Sequence, residues 1–135
     1  MDATRLKSLP LFQDVPDEEL SQIATFAQEV LVDEGRELVR EGDFSYEFMA
    51  IEEGEAEVSR HGEHLADLGP GDFFGEIGLL AQERRVASVT ATSPMSLVVL
   101  TGAQLRAIES RMASVGQRIR QAMADRMEAD RARSS

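Results

Sequence analysis

The spacing of hydrophobic positions divides the chain into three stretches. Ala3 to Leu9 fits a short helix that Pro10 stops, because proline disfavours helix in the residue before it. Pro16-Asp17-Glu18-Glu19 reads as a second helix start, with proline in the first turn and acids against the positive end of the helix dipole. Leu20, Ile23, Ala24 and Ala27 then recur at helical spacing. From Glu29 the period falls to two, and turn residues return about every ten positions. Val30, Val32, Leu38 and Val39 flank Asp33-Glu34-Gly35, and Phe48-Met49-Ala50-Ile51 precedes Glu53-Gly54. Ala56 and Val58 precede His61-Gly62, and Leu65 and Leu68 precede Gly69-Pro70-Gly71. Val86 to Ala91 and Met95 to Leu100, the most strand-like runs, are expected to form one more pair around Thr92-Ser93-Pro94. Beyond Leu100 the helical period returns. Thr101-Gly102-Ala103-Gln104 fits a capping box, with Leu105 and Ile108 on the buried face, and a longer helix is expected from about Ala113 with Val115, Ile119, Met123 and Met127 along one side.

Short strands at this spacing predict antiparallel pairing, not a parallel sheet with crossover helices. The expected fold is mainly β with flanking helices, an antiparallel β-roll or jelly-roll-like barrel. Residues 1–27 form the N-terminal helical segment, 28–101 the barrel and 102–135 the C-terminal helices. At 135 residues there is room for one domain with one substantial core.

Composition narrows the function. The absence of cysteine excludes disulfides, thiolate metal sites and a thiol nucleophile. Met1 to Lys7 has no apolar signal core, and no apolar run approaches the ~20 residues of a membrane span, so a soluble, cytoplasmic protein is expected, with no membrane partner. The net charge of −11 is uneven: residues 1–101 carry 7 Lys/Arg against 21 Asp/Glu, whereas residues 102–135 carry 7 Arg against 4 Asp/Glu. Such an acidic body repels nucleic acid, so no DNA binding is expected of this chain. A small anion could bind only where donors are concentrated.

Residues 72–91, reading DFFGEIGLLAQERRVASVTA, offer that concentration. Gly75, Glu76, Ile77, Gly78, Leu79 and Leu80 are too few for an independent helix but could form one turn on a scaffold, exposing backbone N–H groups to a phosphate. Arg85 adds a permanently charged planar fork suited to phosphate oxygens. Glu76 would be repelled by the same phosphate, but its carboxylate could accept hydrogen bonds from a sugar hydroxyl. Donors with one acceptor suggest a phosphorylated sugar.

Phe74 to Leu80, followed by Arg85-Val86-Ala87-Ser88-Val89-Thr90-Ala91, resembles the phosphate-binding cassette of cyclic nucleotide-binding domains. Leu6, Leu9, Phe12, Val15 and Leu20 resemble the family's N-terminal helical signature. Arg40-Glu41-Gly42-Asp43, Ile51 to Gly54 and Leu68 to Phe73 resemble its barrel turns, so the likeness covers about residues 5 to 120. It implies a regulatory cyclic nucleotide-binding module, not an enzyme. Arg85 would pair with the cyclic phosphate, Glu76 with the ribose 2′-hydroxyl, and Gly75 would place its amide near the ribose. The amides of Gly78 and Val86 would face the phosphate; Ile77 and Ala87 complete the expected ligand contacts, with Phe74, Arg84 and Ser88 as candidate outer contacts.

Three positions depart from the family pattern. Arg84 stands where many members have proline, Gly78 replaces a frequent alanine, and Val86 takes a place where a hydroxyl residue often accompanies guanine. The ligand expected is therefore cyclic AMP, with cyclic GMP the alternative, and no other cofactor. The family uses its C-terminal helix as a lid over the base and sometimes as a dimer contact. Arg118, Ile119 and Gln121 are all candidates to cap the base, and the apolar stripe beside them could pair with a second copy.

Glu76 and Arg85 could form an ion pair at a barrel corner, worth ~0 to 1 kcal/mol if exposed. His61 and His64 lie at a hairpin tip without a third ligand, so no metal is expected. No phosphate-loop, zinc-protease or nucleophile-elbow motif is present. The sequence ends on its C-terminal helix, so neither a helix-turn-helix nor a kinase-inhibitory segment is expected, and the effector is unassigned. A ligand-free interaction or oligomerisation domain with the same barrel is the second functional reading.

Overall fold

A computed structural model describes residues 2–13, 15–42, 47–74 and 87–112, together with 116–118, 120–121 and 124–125 of the C-terminal region. Helix α1 spans Ala3–Lys7, a 3-10 turn Pro10–Phe12, α2 Asp17–Phe26 and α3 Gly102–Arg111. Among the described residues, eight strands lie between α2 and α3: β1 Gln28–Val32, β2 Glu37–Val39, β3 Glu47–Glu53, β4 Ala56–Arg60, β5 Glu63–Leu68, β6 Phe73–Phe74, β7 Ser88–Ala91 and β8 Met95–Thr101. They pair into two four-stranded antiparallel sheets of order β1-β8-β3-β6 and β2-β7-β4-β5.

The helix signals act where the sequence places them. The Asp2 side chain accepts a hydrogen bond from the Thr4 amide at 2.9 Å and caps α1. Helix α1 ends at Lys7, and Pro10, besides excluding helix before it, opens the 3-10 turn. At α3 both halves of the capping box form: the Gln104 amide donates to Thr101 Oγ1 at 3.2 Å, and the Thr101 amide to Gln104 Oε1 at 2.9 Å.

Two cores divide the strands by alternation. Met49, Ile51, Leu97 and Val99 point between the sheets with Val39, Val89 and Ala91. Phe48, Ala50, Val98 and Leu100, the intervening residues of the same strands, pack against Leu6, Leu9, Phe12, Leu20, Ile23, Leu105 and Ile108. Strands β3 and β8 are thus buried on both faces, which is why they read as unbroken apolar runs. Strand β7 instead shows the alternation of a strand with one buried face.

One expected pairing is not made. Strands β7 and β8 join different sheets: β7 lies between β2 and β4, and β8 between β1 and β3. Thr92-Ser93-Pro94 therefore carries the chain from one sheet to the other, and it packs on the corresponding crossing after β3. The Thr92 amide donates to Glu55 O at 3.0 Å, and the Glu55 amide to Ser93 Oγ at 2.9 Å. Gly54 lies beneath this contact at φ +93°, where an added Cβ would sit 2.4 Å from Pro94 O. Both strands are apolar enough to pair locally, but β8 has a second face to bury and finds it only under the helices.

An ion-pair network ties α1 to the outer face of the first sheet. Arg5 contacts Glu29 of β1 and reaches Glu52 of β3 at 3.2 Å, while Ser96 of β8 donates to Glu52 Oε1 at 3.1 Å. The β3–β8 register shifts between Ile51 and Glu53, making Glu52 the extra residue of a bulge. Its side chain is only 6 % exposed. Burial raises its pKa above the ordinary 4.5; the Ser96 hydrogen bond and Arg5 oppose the shift, and neighbouring Glu29 adds to it.

Among the described residues no helix is long and apolar enough to cross a membrane. Residues 116–118, 120–121 and 124–125 are helical, in agreement with the expected C-terminal helix. The stripe of Val115, Ile119, Met123 and Met127 lies outside the described residues.

Candidate functional site

The candidate site is organised by the two ends of one connection. Residues 75–86 join β6, on the edge of the helix-backed sheet, to β7, inside the other. Gly75, Glu76, Ile77, Gly78, Arg84, Arg85 and Val86 lie outside the described residues, whereas Phe74, Ala87 and Ser88 are within them.

The start is held by apolar packing and backbone pairing. Phe74 is buried and pairs with Met49, and the Phe73 ring stands 5.7 Å from that of Phe48 in a tilted contact. The turn before it is pinned to β3 at both sides: the Gly71 amide donates to Ile51 O at 2.9 Å, and the Ile51 amide to Asp72 O at 2.8 Å. Asp72 also accepts from the Gly69 amide at 2.8 Å, which closes the turn.

The exit is held differently. Ala87 and Ser88 are half-buried, and Ser88 pairs in register with Ser59 of β4. Ser88 Oγ accepts a hydrogen bond from the Glu41 amide at 3.0 Å. The Glu41 carboxylate in turn accepts from the His61 amide at 2.9 Å, with His61 Nδ1 3.8 Å away. His61 has φ +52° and Gly62 φ +79°, the two positive values of a tight two-residue hairpin turn, so the predicted tip between β4 and β5 is present.

By residue type, the connection between these two anchors carries a carboxylate, glycines and arginines, a set that suits a small anionic ligand bearing hydroxyls. Sequence reasoning assigned Arg40-Glu41-Gly42-Asp43 to a barrel turn and passed over Glu41. Its contact with Ser88 is made by a backbone amide, which leaves no signature in residue type.

The other nominated residues have separate partners. Arg118 Nη1 donates to Pro10 O at 3.5 Å, and Gln121 Nε2 to Asp125 Oδ1 at 3.0 Å; Ile119 lies outside the described residues. His64 Nδ1 lies 2.9 Å from Glu57 and Nε2 3.7 Å from Asp67. Among the described residues no group of three His, Cys, Asp or Glu side chains could hold a metal ion.

Comparison with known proteins places this geometry. The family model of the cyclic nucleotide-binding domain matches residues 29–111. A cAMP-dependent protein kinase regulatory subunit of Eremothecium gossypii is 35% identical over 96 residues, 70% of this chain and 21% of that protein. A cyclic nucleotide-gated potassium channel of Rhizobium etli is 29% identical over 119 residues, 88% of this chain and 33% of that protein. The chain therefore spans between a fifth and a third of these relatives. A crystal structure from Geobacter metallireducens GS-15, designated a cyclic nucleotide-binding protein, superposes with a TM-score of 0.82 at 26% identity, covering 96% of this chain and 97% of its own. The chain belongs to the cyclic nucleotide-binding domain family, and its fold is that family's β-roll.

Proposed function

We propose that this member of the cyclic nucleotide-binding domain family binds cyclic AMP between its two sheets and passes occupancy to its C-terminal helices. The observation that carries the reading is the placement of Phe74 on one sheet and Ser88 on the other, at the two ends of the connection that carries Glu76 and Arg85 in the sequence. The division of charge supports the ligand class. Arg85 pairs with the cyclic phosphate beside the amides of Gly78 and Val86, and Glu76 accepts from the ribose 2′-hydroxyl near the Gly75 amide. Ile77 and Ala87 complete the contact, with Phe74, Arg84 and Ser88 at its outer edge. Valine at position 86 offers no hydroxyl to guanine, which favours cyclic AMP over cyclic GMP.

The protein acts by binding and not by catalysis. Ligand stabilises one arrangement of the C-terminal helices over another, and an effector with different affinity for the two reads the change. Arg118, which meets Pro10 beside the N-terminal helices, is the described contact through which those helices would sense the barrel.

Calorimetric titration with cyclic AMP and cyclic GMP tests the proposal. Saturable binding, tighter for cyclic AMP, is expected, and Arg85→Ala should weaken it by about 2–3 kcal/mol, because the phosphate loses a charge-assisted fork. Absence of binding at millimolar nucleotide would sink the reading and leave the ligand-free interaction domain. Unchanged affinity in Arg85→Ala would refute the role given to that side chain.

A further inference from the structure

We propose that Glu41 is a positioning residue for the bound nucleotide, a clasp that fixes the exit of the phosphate-binding segment by holding Ser88 and the β4–β5 hairpin at once. The inference rests on the cyclic nucleotide reading and adds to it the residue that sets where Arg85 begins.

The geometry is a closed ring of contacts. The Glu41 amide donates to Ser88 Oγ at 3.0 Å, Ser88 pairs with Ser59, Ser59 leads through Arg60 to His61, and the His61 amide donates back to the Glu41 carboxylate at 2.9 Å. Each link restrains the next, so the start of β7 is held from the β2–β3 turn as well as from its strand neighbours. His61 adds a reason for the carboxylate to be there. A non-glycine residue at φ +52° holds its conformation at a cost, and the hydrogen bond to Glu41 supports it.

The start of the segment has no comparable need. Phe73 and Phe74 are set by the Phe73–Phe48 ring contact, burial of Phe74 and pairing with β3, whose middle residues are buried on both faces. Ser88 begins a strand with one buried face, and Ala87 before it is half-buried. With less apolar packing to locate it, the exit depends on side-chain hydrogen bonds. Only two residues separate Ser88 from Arg85, so slack at Ser88 would pass to the guanidinium and loosen the phosphate contact.

Cyclic AMP affinity and ligand-free melting temperature, measured on the whole chain, test the clasp. Ser88→Ala removes the acceptor of the Glu41 amide, and Glu41→Ala removes the acceptor of the His61 amide. Each should weaken cyclic AMP about fivefold to tenfold, the scale of one lost hydrogen bond. Ser88→Thr and Glu41→Gln keep an acceptor oxygen and should bind within about twofold of the parent. Ser93→Ala is the control for general stability. Ser93 also accepts a backbone amide, that of Glu55 at 2.9 Å, but at the far end of β7, so its loss should lower the melting temperature and leave affinity unchanged. If the parent binds cyclic AMP while Ser88→Ala and Glu41→Ala bind equally well, the clasp is refuted and the nucleotide reading stands. Equal weakening by Ser93→Ala would also refute it, as the effect would be one of overall stability. Failure of the parent to bind either nucleotide removes the nucleotide reading itself.

Discussion

The helix-backed sheet and its partner solve different burial problems with the same kind of strand. In Phe48 to Ile51 of β3 and Leu97 to Leu100 of β8 successive residues face two cores, the barrel interior and the helices, and every one is apolar. In β4, β5 and β7 one face meets the barrel and the other is only partly covered. The middle of β3 and of β8 is thereby located by packing on both faces, and β7 by packing at every other position plus polar contacts. The proposed ligand segment starts on the first sheet and ends on the second. Its two anchors differ accordingly: apolar packing and strand pairing at Phe73 and Phe74, and a hydrogen-bonded ring at Ser88.

Phe48→Ala is the strongest challenge to this contrast. It removes a fully buried ring from the helix-facing core and leaves Phe73 without its aromatic neighbour, so chemical denaturation should show a loss of about 3–5 kcal/mol. Next in size is Gly54→Ala, at the point where the chain crosses between the sheets. The new Cβ would meet Pro94 O and Met95 Cα at a backbone conformation unfavourable to alanine, and a loss of about 2–3 kcal/mol is expected by the same measurement. Val58→Ala, on the half-buried β4, should cost only about 1 kcal/mol. A loss equal to that of Phe48→Ala would erase the distinction between the sheets.

The smallest effect expected is also the most diagnostic of how α1 is held. Glu52 has a raised folded-state pKa, so the proton is bound more tightly in the folded chain than in the unfolded one. Its contribution to stability is fully present below the unfolded value of 4.5 and is lost as pH rises through the folded value. The stability of Glu52→Gln relative to the parent should therefore increase from pH 4 to pH 7 in parallel urea titrations. A relative stability that falls over this range would mean that Arg5 outweighs burial at this site.

Much of this contrast is visible along the chain. The alternation in Val89-Thr90-Ala91 and the unbroken run from Leu97 to Leu100 announce one buried face and two, and the capping box at Thr101 locates α3. Strand β6 was not expected, because two phenylalanines after Gly69-Pro70-Gly71 are too short a run to show a period. The proposed chemistry was legible for a different reason. A phosphate and a sugar demand a cation, a carboxylate and glycine amides, and Arg85, Glu76, Gly75 and Gly78 carry those demands in residue type.

Local spacing thus suffices for the elements, because helix and strand periodicities are properties of neighbouring residues. Partner choice is settled elsewhere. Val86 to Ala91 and Met95 to Leu100 look suited to each other across a short turn, yet β7 and β8 separate, since only opposite sheets supply the second core that β8 must meet. The hold of Glu41 on Ser88 belongs to the same class. Every residue except proline carries a backbone amide, so only the folded chain, bringing together groups 47 positions apart, decides which amide meets which hydroxyl.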